Sequence, residues 1–151
     1  WSRLAARYLR KEFALSKEVK RATVHIAGMG LYELFINGQR IGDQVLAPAP
    51  TDYRKTILYN TYDVTPQLRK ENAIGVTLGN GRFYTMRQNY KPYKIPTFGY
   101  PKLRLNLIVE YMDGSKETIA TNTSWKLTAK NMMPARNWAT GHKAVMTTKA
   151  G

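Results

Sequence analysis

Cysteine is absent from the 151-residue sequence, which excludes a disulfide framework, a thiol nucleophile and cysteine-ligated zinc and leaves the redox compartment open. Histidine is nearly absent as well. His25 and His142 lie in distant segments, and no other histidine or cysteine stands ready to complete a metal set with them, so neither a metal nor any other cofactor is expected. Nowhere does an apolar run approach the roughly 20 residues of a membrane helix, so no membrane partner is expected. The opening WSRLAARYLRKEF has neither the apolar core nor the cleavage site of an export signal, which fits a cytoplasmic protein or one whose signal has been removed. Acidic residues are scarce too: 10 Asp and Glu stand against 24 Lys and Arg, for a formal charge of +14. Such a balance normally points to nucleic acid or an anionic surface. Here, though, the basic residues are scattered in ones and twos without the blocks of like charge that mark a basic arm. Lys102 and Arg104 alternate with Leu103 and Leu105, as on the solvent face of a strand. The spread therefore argues against a nucleic-acid partner and for a fragment balanced by an acidic neighbour.

What the sequence does contain is a succession of short strand patterns, enough for one ordinary domain with a real core. The densest information lies in LYELFINGQRIGDQVLAPAPTDYRKTILY, Leu31 to Tyr59. Its Asn37-Gly38 dipeptide follows a β-branched and aromatic run and predicts a type I′ hairpin, in which both central residues need positive φ. Arg7 to Leu15 and Val19 to Ala27 alternate with short period and predict the first two strands, with Gly28-Met29-Gly30 turning the chain after them. Thr56 to Tyr59 reads as a further short strand, and Thr65 as the N-cap of a short helical turn near 65–70 with Pro66 at its first position. Ala73 to Leu78 is a buried-type strand running into Gly79-Asn80-Gly81, and Asp113-Gly114 joins Leu103–Tyr111 to Lys116–Thr121 in a second hairpin. Trp125–Thr128 and Lys143–Thr148 are weaker strands. About ten short strands with almost no helix predict an all-β sandwich or barrel.

Most chemistry-bearing patterns reduce to structure. Gly28-Met29-Gly30 and Gly79-Asn80-Gly81 each begin like a dinucleotide fingerprint, but Glu33 and Tyr84 stand where the third glycine belongs, so both are turns. The four serines have no nucleophile elbow around them. Glycoside cleavage needs only a pair of carboxyl groups, one protonated and one ionised, and Asp43, Asp52 and Asp63 are the candidates in the densest region. Asp52, however, reads more simply as bonding its own turn, and Asp63 as satisfying the start of the short helix. The stretch with a functional reading is Arg82 to Pro101, an irregular aromatic loop. Tyr84, Arg87, Asn89, Tyr90 and Tyr93 are its candidate carbohydrate contacts: rings suit the C–H faces of a sugar, and neighbouring polar groups suit its hydroxyls. The alternative, that these rings pack the loop onto the sandwich or a neighbouring domain, remains open.

Taken in order, LYELFINGQRIGDQVLAPAPTDYRKTILYNTYDVT, ENAIGVTLGNGRFY and FGYPKLRLNLIVEYMDGS resemble the N-terminal β-sandwich domain of bacterial α-L-rhamnosidases, glycoside hydrolase family 78. The signature positions are Asn37, Gly38, Gly42, Asp52, Tyr53, Asp63, Gly79, Asn80 and Gly81, and the likeness runs from about Tyr8 to Trp125. The resemblance implies a jelly-roll-like antiparallel β-sandwich, galactose-binding-like, spanning 1–151 as an accessory domain of a larger enzyme. It implies partners in the same chain, a catalytic helical toroid and further β-domains, and a parent that removes terminal α-L-rhamnose from plant glycans with inversion. A bacterial periplasmic or secreted setting follows from the same resemblance. The family's catalytic carboxylates belong to the toroid, so no catalytic residue is carried over to this sequence. The family often has Trp after the Gly-Asn-Gly turn, where this sequence has Arg82. Two other readings stand beside it: a free-standing carbohydrate-binding module, and a basic β-barrel for single-stranded nucleic acid.

Overall fold

The computed structural model of the protein describes residues 5–84 and 98–129. Alternation of buried and exposed residues sets the architecture. In β2 (Val19–Met29) the side chains of Ala22, Val24 and Ile26 point inward, and in β7 (Lys102–Tyr111) those of Leu105, Leu107, Val109 and Tyr111 do. β3 (Leu31–Ile36) contributes Tyr32, Leu34 and Ile36, and β6 (Glu71–Gly79) Ile74, Val76 and Leu78. These faces meet in one core, and each fully buried Val, Leu or Ile stabilises it by about 1.5–3 kcal/mol.

The strands form two antiparallel sheets. One has the order β4-β3-β6-β1-β9, with β1 at Arg7–Ala14, β4 at Gln39–Ile41 and β9 at Lys126–Thr128. The other has the order β5-β2-β7-β8, with β5 at Asn60–Asp63 and β8 at Lys116–Ala120. The all-β sandwich expected from the strand spacing is therefore the observed fold.

The chain changes sheet between β2 and β3 at a single residue. Gly30, at φ +137°, brings its Cα so close to β6 that an added Cβ would lie 2.3 Å from the Gly79 carbonyl oxygen. The two glycine pairs read as separate turns thus form one corner, with Leu31 opposite Gly79 in the ladder. The Asn37-Gly38 hairpin is present with φ of 50° and 82°, as a type I′ turn requires. Asn37 does more than turn the chain. Its Oδ1 accepts the Ala73 amide at 2.9 Å, while its Nδ2 donates to Gln67 O at 2.8 Å and to Asn72 Oδ1 at 2.9 Å. The bond to the Ala73 amide stands beside the backbone bond from Asn37 N to Ala73 O, 2.9 Å, and together they close the end of the β3–β6 ladder. The second hairpin closes by Gly114 N to Tyr111 O and Tyr111 N to Ser115 O, with Gly114 at φ +83°.

Two local expectations need correction. Thr56–Tyr59 is not a strand: Lys55 N and Thr56 N both donate to Asp52 O, and the segment then runs exposed until β5 begins at Asn60. The β-favouring residues Ile57-Leu58-Tyr59 find no sheet partner among the described residues. Nor is Thr65 an N-cap. Val64 holds that position without a side-chain bond, and Thr65 begins a one-turn 3-10 helix, Thr65–Gln67. Its hydroxyl oxygen instead accepts the amide of Ala22, at 2.8 Å, tying the turn to β2. Lys143–Thr148 lies outside the described residues.

Candidate functional site

Every signature carboxylate is committed to its own turn. Asp52 Oδ1 accepts the Arg54 amide and Arg54 Nε, both at 3.2 Å, and these bonds hold its carboxyl below the usual range. Asp63 Oδ1 accepts the Thr65 hydroxyl at 2.7 Å and its amide at 3.0 Å, with the same consequence. Lys116 holds Glu110 down in the same way. A general acid needs the opposite, a carboxyl raised towards neutrality. Asp52 and Asp63 thus follow the structural reading of the sequence.

Gly42, at φ +79°, lies under the ring of Tyr62, whose Cε1 would be 2.8 Å from an added Cβ. That ring reaches the buried Tyr32, whose hydroxyl accepts a 2.7 Å hydrogen bond from Asn60 Nδ2. Burial first, then the Tyr62 contact, raises the Tyr32 pKa above the ordinary tyrosine range. The signature glycine and the Tyr62-Asp63 strand are therefore parts of one packed joint between β3, β4 and β5.

The described rings of the aromatic stretch form two groups. Phe83 is buried and packs edge-on against Tyr53 at 5.2 Å between ring centroids, with Phe98 completing the cluster at 5.4 Å from Tyr53. These contacts bring Phe83 and Phe98 together against Tyr53. The second group opens to solvent. Tyr84, held by its amide to Asn80 O, stacks on Tyr100 at 5.4 Å with the rings 12° from parallel. Arg7 Nη1 donates to Asn80 Oδ1 at 2.8 Å, and the guanidinium carbon lies 5.8 Å from the Tyr100 ring centroid. Tyr100 keeps 56% of its surface exposed. The geometry follows from the ladder: Arg7 opposes Leu78 at the end of β6, so its side chain reaches the Gly79-Asn80-Gly81 turn. A flat aromatic pair beside a planar fork of N–H donors matches the chemistry of a sugar ring, with C–H faces for the rings and hydroxyls for the guanidinium.

Of the five carbohydrate-contact candidates, Tyr84 belongs to this platform. Arg87, Asn89, Tyr90 and Tyr93 lie outside the described residues. Arg7 and Tyr100 are platform members that sequence reasoning missed. Tyr100 was visible as an aromatic of the loop; Arg7 had no local signal, standing 73 residues from Asn80. Among the described residues no three His, Asp or Glu side chains are grouped closely enough to hold a metal ion.

Comparison with known proteins adds four findings. Residues 17–144 match the family described as the alpha-L-rhamnosidase N-terminal domain. An alpha-L-rhamnosidase of Formosa agariphila is 42% identical over 127 residues, which cover 81% of this chain and 13% of the relative. Among solved structures, an alpha-L-rhamnosidase from Dictyoglumus thermophilum superposes with a TM-score of 0.74 at 50% identity, covering 83% of this chain and 13% of that one. The alpha-L-rhamnosidase of Streptomyces avermitilis, solved with L-rhamnose, gives the same TM-score, 0.74, at 39% identity, covering 83% of this chain and 12% of that one.

Proposed function

Because the chain belongs to the alpha-L-rhamnosidase N-terminal domain family, we propose that it is the non-catalytic accessory domain of an enzyme that removes terminal α-L-rhamnose from plant glycosides or polysaccharides with inversion. The observation that carries this reading is the proportion of the match: most of this chain aligns with only about an eighth of each rhamnosidase, 13% in the Formosa relative. The machinery for hydrolysis then lies in the remainder. The carboxylates support the same view. Inversion needs a general acid and a general base roughly 6.5–9.5 Å apart, with the acid's pKa raised, whereas Asp52, Asp63, Glu110 and Asp113 are all held down by hydrogen bonds and cations.

Within that assembly the domain packs against the catalytic toroid and other β-domains of the parent chain, and the Tyr84–Tyr100–Arg7 platform lends a rim to the substrate cleft. Two measurements on an aryl α-L-rhamnoside and on a rhamnose-containing oligosaccharide test this. The 151-residue chain alone shows no turnover; robust hydrolysis by it sinks the division of labour. In the full gene product, Tyr84→Ala raises KM for the oligosaccharide by about 2- to 10-fold, the equivalent of one aromatic contact, with kcat little changed. An unchanged KM removes the platform from the cleft.

A further inference from the structure

Among the described residues, eight large hydrophobic side chains are exposed, and five of them come from the crossing between β4 and β5. Val45, Leu46 and Tyr59 keep 75, 67 and 65% of their surface exposed, and Ile57 and Leu58 keep 40 and 41%. The two short segments converge. Asn60 Nδ2 donates to Gln44 Oε1 at 3.2 Å, which places the start of one beside the end of the other. The intervening turn is closed by Thr51 Oγ1 on Thr56 O, at 2.5 Å. In a chain of mean hydropathy −0.46 and charge +14, a concentration of exposed apolar side chains on one crossing is unlike the rest of the described surface.

The backbone makes the exposure harder to attribute to chance. Leu46 has φ of +64°, a left-handed conformation that a leucine rarely adopts, and it is held there while the next residue, Ala47, accepts the Tyr32 amide at 2.8 Å. A strained leucine pointing at solvent gains nothing inside this domain. The crossing also joins the strands that are outermost in the two sheets among the described residues, β4 and β5, and such edges are a liability unless something covers them.

We propose that this crossing is the surface on which the domain docks another domain of its own polypeptide, one presenting an apolar patch rimmed by carboxylates. The inference rests on the accessory-domain reading. The occupant is sought in the same chain because this one matches only 13% of its relatives' length, so the greater part of such an enzyme is available to cover it. Its rim is acidic because the net charge of +14 needs a counter-surface and because the exposed Lys55 stands in the turn between the apolar segments, next to Arg54, which Asp52 already pairs.

Hydroxyl-radical footprinting of the full gene product tests the surface. After correction for intrinsic reactivity, labelling of Leu46, Leu58 and Tyr59 falls at least fivefold below that of Met112, which is similarly exposed in this domain. The protection is the same at 0.5 and 50 μM protein, as roughly chosen working concentrations far below and near those of weak self-association. The double substitution Leu46→Asn and Leu58→Asn, the first of which suits the left-handed backbone, restores labelling of Tyr59. It also lets this domain melt separately at lower temperature, while circular dichroism confirms that the sandwich persists. Free labelling of all three residues in a product that hydrolyses the aryl rhamnoside overturns this surface and leaves the accessory-domain reading standing. Protection seen only at the higher concentration assigns the patch to a second copy and also overturns it. A gene product with no further domain overturns both.

Discussion

Asn37 serves two ends that a sequence motif cannot separate. The turn needs only positive φ, which glycine supplies at least as well as asparagine. The side chain, however, is bonded to Ala73 N, Gln67 O and Asn72 Oδ1, and Asn72 itself is buried. Asn72 in turn accepts the Arg69 amide and donates to the Arg69 carbonyl, so the network fixes the whole approach to β6. If Asn37 mattered only for the hairpin, Asn37→Gly would be close to neutral. Loss of three bonds, with part-buried partners left unsatisfied, costs about 2–3 kcal/mol at roughly 1 kcal/mol per bond. Urea denaturation with unchanged m-value measures it, and a loss under about 0.5 kcal/mol would mean that water takes over the vacated partners. The dipeptide was legible as a turn because turn chemistry is local. Its bonds to Gln67 and Asn72 were not, since they depend on segments brought together from thirty or more positions away.

At the scale of elements the same division holds. β2 and β7 were legible because their buried residues alternate strictly, and Asp113-Gly114 because a left-handed glycine marks the turn. Ile57-Leu58-Tyr59 misled because strand propensity and exposure for another surface use the same residue types. The change of sheet at Gly30 left no local mark beyond a glycine, since what excludes a side chain there is the carbonyl of Gly79. The β7–β8 hairpin offers a test of how such a turn is secured. Asp113 Oδ1 accepts the Ser115 amide at 2.9 Å, and Lys17 Nζ reaches Asp113 Oδ2 at 2.7 Å from the β1–β2 connection. Lys17 first, then Ser115, holds the Asp113 carboxyl well below the usual carboxylate range. The unfolded chain therefore takes up this proton first as pH falls, so the contribution is present above about pH 4 and is lost below it. Asp113→Asn keeps the turn acceptor and loses the cation. Wild type is then more stable than the variant at pH 7, and the gap narrows steadily as the pH falls below about 4 in urea titrations. A gap independent of pH would assign the effect to turn geometry alone.

Across the whole molecule, the charge imbalance makes the acid and alkaline limits of stability differ in kind. Lowering the pH protonates the 10 carboxylates and leaves the 24 Lys and Arg and both histidines to repel one another, a long-range effect that salt screens. The alkaline limit is set instead by two buried phenols. Tyr111 is pushed up to about 12, by burial first and then by its hydrogen bond to Glu117, and Tyr32 is raised further by burial and Tyr62. A folded-state pKa above the unfolded value of about 10 means that the native form holds its proton more tightly. That stability is intact below pH 10 and drains away as the pH rises towards 12. Thermal midpoints measured from about pH 3 to 11.5 at low salt and at about 0.5 M NaCl should therefore fall at both ends. Salt restores the acid limb substantially and the alkaline limb little, because ionising a buried tyrosine is a local desolvation effect that mobile ions hardly reach. Absorbance at 295 nm gives the matching readout: ionisation of Tyr32 and Tyr111 coincides with unfolding. If both ionise near pH 10 before the fold is lost, the joint of Tyr32, Tyr62 and Asn60 is open to water and does not lock β3 to β5.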